Sequence, residues 1–466
     1  MSRINTNISS LQAIHTLARN NSDLAMRLQR LSTGLRINTG KDAPAGLIAS
    51  ETLRSEIAGI NQAIDNSQRA GNVINTAEGA LSEVSALLLE IQGLTNEAAN
   101  TGAMSPDEIK ANQLQVDAIL NSINRIANTT QFNGVKLLNG SLDYTTSGVA
   151  ESAVATYQIN AANVPDNGTI DVVVEVTGSA ALGEVDYTGS GLGAAPVTIE
   201  VAGNLGTEQL SFAGSTTISA IAVAINQLTD ATGVSAVVSG TTLRMTSAAY
   251  GASQYVSVRT IDGTFTDGTD YGANASVTIN GSQAEVDGLT ASVRTSTMDA
   301  TFTLTADMGT TLGTTDFVVT GGGAKFQLGS EVNRQGQTNA GIQSVATTKL
   351  GNDVLGYLST LASGGDNSLL SGNSIQGQKI LSAAIRQVAT LRGRLGAFQK
   401  DILETNINSL SVALENVTAS ESAIRDADFA AETAALTRAQ ILVQANTSIL
   451  AQANSSPQNV LALLGR

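Results

Sequence analysis

The chain has 466 residues, no cysteine, a single histidine and a formal charge of −15. These facts exclude a disulfide framework, thiolate metal centres and multi-histidine zinc sites, and the acidic balance opposes a nucleic-acid footprint. Tryptophan is absent and aromatics are 3%, so cores must be built from Leu, Ile, Val and Ala, and no apolar run reaches the ~18 residues a membrane span requires.

Residues 1–7 lack the uninterrupted apolar segment of a secretory signal, and none is expected. From Ile4 to Leu35, apolar residues recur at three- and four-residue steps (Ile8, Leu11, Ile14, Leu24, Leu28, Leu31), a helical stripe. Asn38-Thr39-Gly40 interrupts it. Asp42 as cap and Pro44 as a first-turn residue are expected to restart a helix. The next stripe runs Leu53, Ile57, Ile60, Ile64, then a weak patch at Ser67, then Ile74, Leu81, Val84, Leu88 and Ile91. Alternating steps of four and three are heptad spacing, which demands a helical partner. A helix from about 44 to 100, ended by Gly102, would be ~85 Å long, a rod rather than part of a globule. Ser105-Pro106-Asp107-Glu108 is a capping box opening another helix, with Val116, Ile119, Leu120, Ile123 and Ile126 on one face.

The middle of the chain changes period. Ile170–Val176, Val197–Val201 and Thr301–Thr305 are short β-branched or alternating runs between glycine-bearing turns, with one helical island near Thr217–Leu228. They predict one or two β-rich subdomains. The helical period returns at Ala384, Val388, Leu391, Leu395, Phe398 and Ile402, continues at Leu410, Leu414 and Val417, and closes with an alanine-rich stripe from Phe429 to Ala453, ahead of Pro457.

Charge follows the same division. Residues 142–323 carry 3 Lys/Arg against 18 Asp/Glu, which is the whole excess of −15, and 23 of the 45 glycines. The expected fold is therefore α+β and multidomain. A long antiparallel coiled-coil rod is built from both termini, and an acidic, glycine-rich β-region is inserted into it. The expected divisions are 1–40 with 427–466, then 41–141 with 324–426, then 142–323. Leu53, Ile57, Ile60, Leu81, Val84, Leu88, Val388, Leu391, Leu395 and Phe398 would form the rod seam. Ile8, Leu11, Leu28, Leu31, Leu35, Phe429, Leu436, Leu442, Ile449 and Leu461 exceed what one chain can bury, and are expected to contact other subunits.

Chemical motifs are sparse. Asp426 with Asp428, and Asp262, Asp267 and Asp270, are carboxylate groups whose ordinary role is in caps and solvated loops, and their spacing matches no EF-hand. Gly321-Gly322-Gly323 lacks the lysine pattern of a phosphate loop and reads as a flexible junction. His15 sits within an amphipathic stripe. No catalytic, metal or cofactor site is expected.

The wording of both ends resembles bacterial flagellin. Met1–Asn7, LQRLSTGLRINTGKDAPAGLIASETLRSEI (Leu28–Ile57), TQFNGVKLL (Thr130–Leu138), IRDADFA (Ile424–Ala430), Ala445-Asn446 and Pro457–Gly465 carry the likeness. It spans 1–141 and 324–466; the middle resembles flagellar inserts only loosely, around Gly206–Val258. The resemblance implies a subunit exported unfolded by the flagellar type III route that polymerises into the extracellular filament for swimming. Terminal segments would form an inner tube, and a β-hairpin would close the helical core. Implied partners are further copies, an export chaperone, the filament cap and hook-junction proteins. A hook–filament junction protein is the nearest alternative, and an adhesive or glycan-bearing insert another. Family members that activate Toll-like receptor 5 carry an arginine where this chain has Glu90 and a glutamate where it has Gly93. They retain the leucine at Leu94, and usually have a glutamate where this chain has Gln115. Weak activation is expected.

Overall fold

The computed structural model describes residues 6–165, 168–295 and 297–464, with side chains up to residue 455. They form two compact units, one drawn from 1–69, 327–337 and 403–466 and the other from 70–326 and 338–402. Helices occupy Ile8–Thr33, Pro44–Ala98, Pro106–Thr129, Ser374–Ala397, Thr405–Arg425 and Phe429–Leu464. Their ends obey local chemistry. The Asn7 side chain accepts from the Ser10 N–H at the first start, and Gly34 ends that helix in the left-handed region, at φ 71°. At Ser105 both halves of the capping box form. The 55-residue helix Pro44–Ala98 is continuous, about 83 Å at 1.5 Å per residue.

In the second unit, Ile74, Leu81, Val84, Leu88 and Ile91 of this helix are fully buried, as are Val116 and Ile123; Val388, Leu391 and Leu395 are nearly so. Arg392 of helix Ser374–Ala397 grips Glu78 through three hydrogen bonds of 2.7–3.1 Å. Gln113, a polar residue at 1% exposure, donates to Asp117 and to the Leu361 carbonyl and accepts from the Leu369 N–H. It thereby pins the irregular segment that precedes helix Ser374–Ala397. Beyond the helices, Gln131–Phe132 and Val135–Lys136 make a hairpin. Asn133 and Gly134 both take positive φ, as a type I′ turn requires.

The β-rich middle holds two separate hydrophobic cores, all of its paired strands being antiparallel. The first body pairs a five-stranded sheet, containing Tyr144–Ser147, Ile170–Gly178 and Gly313–Gly322, with a four-stranded one containing Val154–Ala162 and Met298–Leu304. Phe302 and Phe317 meet edge-to-face at its centre, 5.5 Å apart. The second body is nested in sequence between Ile170–Gly178 and Ser276–Ile279. There the helix Ile218–Gln227, capped by Thr217, shares a core with Ile199, Leu243, Met245 and Val256.

Five sequence expectations need correction. Asp42 does not cap the long helix: it accepts from the N–H groups of Asn38 and Thr39 behind it, closing the loop that separates two helices, and these bonds hold its carboxyl below the usual range. The long helix stops at Ala98, ahead of Gly102. Ile402 is not in the stripe. Residues Phe398–Glu404 form a π-helical segment, whose extra residue per turn rotates the apolar face, leaving Ile402 41% exposed and Leu403 at 1%. Gly321-Gly322-Gly323 is no flexible junction. It completes the strand Gly313–Gly322 at positive φ, where a Cβ on Gly322 would strike the Asp143 carbonyl and one on Gly323 would meet the Tyr144 ring. Finally, helix Phe429–Leu464 runs through Pro457, whose missing N–H removes one hydrogen bond without ending the helix.

Candidate assembly site

Within the first unit, helix Ile8–Thr33 packs against helix Phe429–Leu464 in antiparallel fashion. At one end, Asn7 Nδ2 donates to the Ala453 carbonyl at 2.7 Å and Ser10 Oγ to Asn454 Oδ1 at 2.7 Å. At the other, the Arg36 N–H donates to the Arg425 carbonyl and the Ala427 N–H to the Gly34 carbonyl. Asp428 accepts from the N–H groups of Ala430 and Ala431, which begins the second helix. Between these ends the pair is thinly packed. Among the described side chains of the two helices, Ala13, Glu432 and Ala439 alone are buried.

Glu432 is the unexpected member of that set. Arg27 Nη1 donates to both of its oxygens, at 3.1 and 2.9 Å, and Arg30 Nη1 donates to Oε1 at 3.0 Å. Burial alone would push the Glu432 carboxyl up, but the bonds from Arg27 and Arg30 outweigh it and hold the carboxyl below its ordinary range. Sequence reasoning missed this triad because its partners lie some 400 residues apart. A signal was present: two arginines three residues apart beside an apolar stripe, and one carboxylate in an alanine-rich run.

The apolar residues anticipated for subunit contact divide by position. Ile8, Leu11, Leu28, Phe429, Leu442 and Ile449 are exposed, joined by Ile14 and Ile441; Leu31, Leu35 and Leu436 are half-buried. Leu461 has no described side chain, and residues 1–5 of the terminal wording also lie outside the described residues. Of the anticipated seam, Ile60, Leu81, Val84, Leu88, Val388, Leu391, Leu395 and Phe398 are buried, while Leu53 and Ile57 are half-buried. The weak patch at Ser67 is a polar contact. The fully buried hydroxyl donates to the Ala63 carbonyl and accepts from Asn406 Nδ2 at 3.1 Å.

Glu90 and Gln115 are brought together across two helices, Gln115 Nε2 donating to Glu90 Oε1 at 3.0 Å. Gly93 is exposed with open space where a Cβ would stand. Leu94, grouped with them as a receptor contact, is instead buried, because it falls on the seam face of the helix beside Ile91. His15 is exposed. Asp262, Asp267 and Asp270 each accept from a different backbone N–H (Gly263, Thr260 and Glu184): the first two close a loop, and the third joins strands Gly268–Tyr271 and Glu184–Thr188. Among the described residues no group of acidic or histidine side chains is placed to hold a metal. An open cleft of about 1020 Å³ lies beside Tyr144, Tyr157, Lys349 and Tyr357. One of its carboxylates, Asp353, accepts from the Tyr357 hydroxyl.

The family model for the bacterial flagellin N-terminal helical region matches residues 4–143, and that for the C-terminal helical region matches residues 378–464. Over 99% of both chains, the sequence is 31% identical to a flagellin of Salmonella rubislaw and 32% identical to a B-type flagellin of Pseudomonas aeruginosa. A flagellin of Bacillus subtilis is 28% identical over the same share. Among solved structures, a flagellar junction protein of Legionella pneumophila aligns over 81% of this chain and 99% of its own at 15% identity, with a TM-score of 0.31. That superposition is too loose to decide anything, and the relatives matched along their full length do not favour the junction alternative. The order of the two terminal regions and the whole-length relatives together place this chain in the bacterial flagellin family, as a structural subunit of the flagellar filament that serves motility.

Proposed function

We propose that this subunit polymerises outside the cell through the paired helices Ile8–Thr33 and Phe429–Leu464, and that it has no enzymatic role. One observation carries the proposal. The pair buries three described side chains and leaves Ile8, Leu11, Ile14, Leu28, Phe429, Ile441, Leu442 and Ile449 in solvent. Large apolar side chains left exposed along a helix pair mark an interaction site. In this reading, 1–40 with 427–466 is the inner tube, 41–141 with 324–426 the surrounding helical shell, and 142–323 the outer, acidic surface. Half-buried Leu53, Ile57, Leu410, Leu414 and Val417 would complete shell contacts between copies. An export chaperone, the filament cap and hook-junction proteins would meet the same terminal helices before or at the ends of the polymer. Toll-like receptor 5 would be engaged weakly, since Glu90 and Gly93 replace an arginine and a glutamate.

Apolar faces without partners give helices little stability of their own, so the terminal helices should order fully only on association. Hydrogen exchange measured on monomer and on filament tests this. Strong protection of 8–33 and 429–455 in the filament alone is expected; equal protection in the monomer would overturn it.

A further inference from the structure

The apolar contact between the terminal helices does not define their register. Helix Phe429–Leu464 is rich in alanine, with leucine or isoleucine at Leu436, Ile441, Leu442, Ile449 and Leu450. Small side chains at helical spacing present nearly the same surface after a slip of one turn. The backbone bonds from Arg36 to Arg425 and from Ala427 to Gly34 hold one end of the pair, and along the helices charge breaks that degeneracy. Glu432 is the one carboxylate in the sequence of this helix, and Asp23 the one in Ile8–Thr33. A one-turn slip would set Arg27 and Arg30 against Ala435 and Leu436, leaving Arg30 without a carboxylate and Arg27 with only Asp23 of its own helix, 3.3 Å away. A slip the other way would bring up Phe429 and Asp428, whose carboxylate is already committed to the N–H groups of Ala430 and Ala431.

The geometry points to Glu432 as the positioning residue that selects the antiparallel register of the terminal helix pair, with Arg27 and Arg30 as its readers. This rests on the assembly reading above and deepens it: the triad decides which apolar faces are offered to neighbouring subunits. Buried ion pairs contribute little net stability compared with apolar packing, but they discriminate sharply against arrangements that leave a charge unpaired.

The absence of cysteine from the chain makes the test clean. Cysteines at Ser10 and Asn454, whose side chains touch, report the native register, and cysteines at Ile14 and Asn454 report a one-turn slip. Filaments of the otherwise native chain should form the first disulfide and not the second. In Glu432→Gln filaments the ratio of native to slipped link should fall about tenfold, as loss of a charge-assisted contact implies. An unchanged ratio would overturn the proposal. If Glu432→Gln fails to polymerise, the charge-exchanged chain (Arg27→Glu, Arg30→Glu, Glu432→Arg) should restore both polymerisation and the native link; failure to restore the link would also overturn it. A native chain that did not polymerise at all would count against the assembly reading instead. The link ratio in the soluble chain would then decide the role of Glu432.

Discussion

Leu442 and Ile449 stand 44% and 56% exposed on helix Phe429–Leu464. Replacing both by alanine keeps helix propensity and removes apolar surface that the folded chain does not use. Fully burying a Leu or Ile side chain is worth roughly 1.5–3 kcal/mol, so burying the remaining half contributes about 1 kcal/mol at each site. The double variant should therefore lose about 2 kcal/mol of association free energy, close to a thirtyfold rise in critical concentration. Sedimentation of seeded polymer across a concentration series measures it. The monomer's thermal midpoint should not move, because neither side chain belongs to a core. Leu205→Ala, on a more exposed residue of the insert, is the control and should leave the critical concentration unchanged. An unchanged critical concentration in the double variant would refute the argument. So would a rise accompanied by a lower thermal midpoint, since that would place both residues in the monomer's own packing.

Adjacent residues of the long helix should behave oppositely. Leu88→Ala, at a fully buried site, should cost about 2–5 kcal/mol in thermal or denaturant unfolding, whereas exposed Leu89→Ala should cost under about 0.5. Deleting 142–323 removes the entire excess charge and should leave polymerisation intact while promoting bundling at low salt, where repulsion reaches beyond the ~10 Å of 0.1 M salt; light scattering and electron microscopy read both. A receptor reporter assay should find the native monomer weak toward Toll-like receptor 5 and Glu90→Arg with Gly93→Glu stronger; potent native signalling would refute the charge argument. Acid should loosen the terminal helix pair through Glu432. Its carboxyl titrates lower when folded than when unfolded, so its stabilising contribution is complete above the ordinary glutamate value of about 4.3 and is lost as pH falls below it. Filaments of Glu432→Gln should show a shallower dependence on pH in that range.

Much of this architecture is legible in the sequence where the signal is local and periodic. The stripe through Leu81, Val84 and Leu88, the capping box at Ser105 and the change of period after residue 142 each reflect chemistry within a few residues. What is not legible depends on distant partners or backbone geometry. The π-helical turn at Phe398–Glu404 exchanges Ile402 for Leu403 without any break in composition. The glycine run 321–323 looks like a linker until Asp143 and Tyr144 are seen to cross it. Gln113 and Glu432 read as ordinary solvated residues, since their hydrogen-bond partners come from chain segments far away.

Helices Ile8–Thr33 and Phe429–Leu464 are proposed to join subunits into a filament. A cryo-electron microscopy reconstruction of polymer grown from the purified chain tests it most directly. These two helices should form the innermost layer, with Leu28, Leu442 and Ile449 buried against neighbouring copies and residues 142–323 outermost. A polymer whose terminal helices faced solvent, or whose subunits met chiefly through the insert, would contradict it.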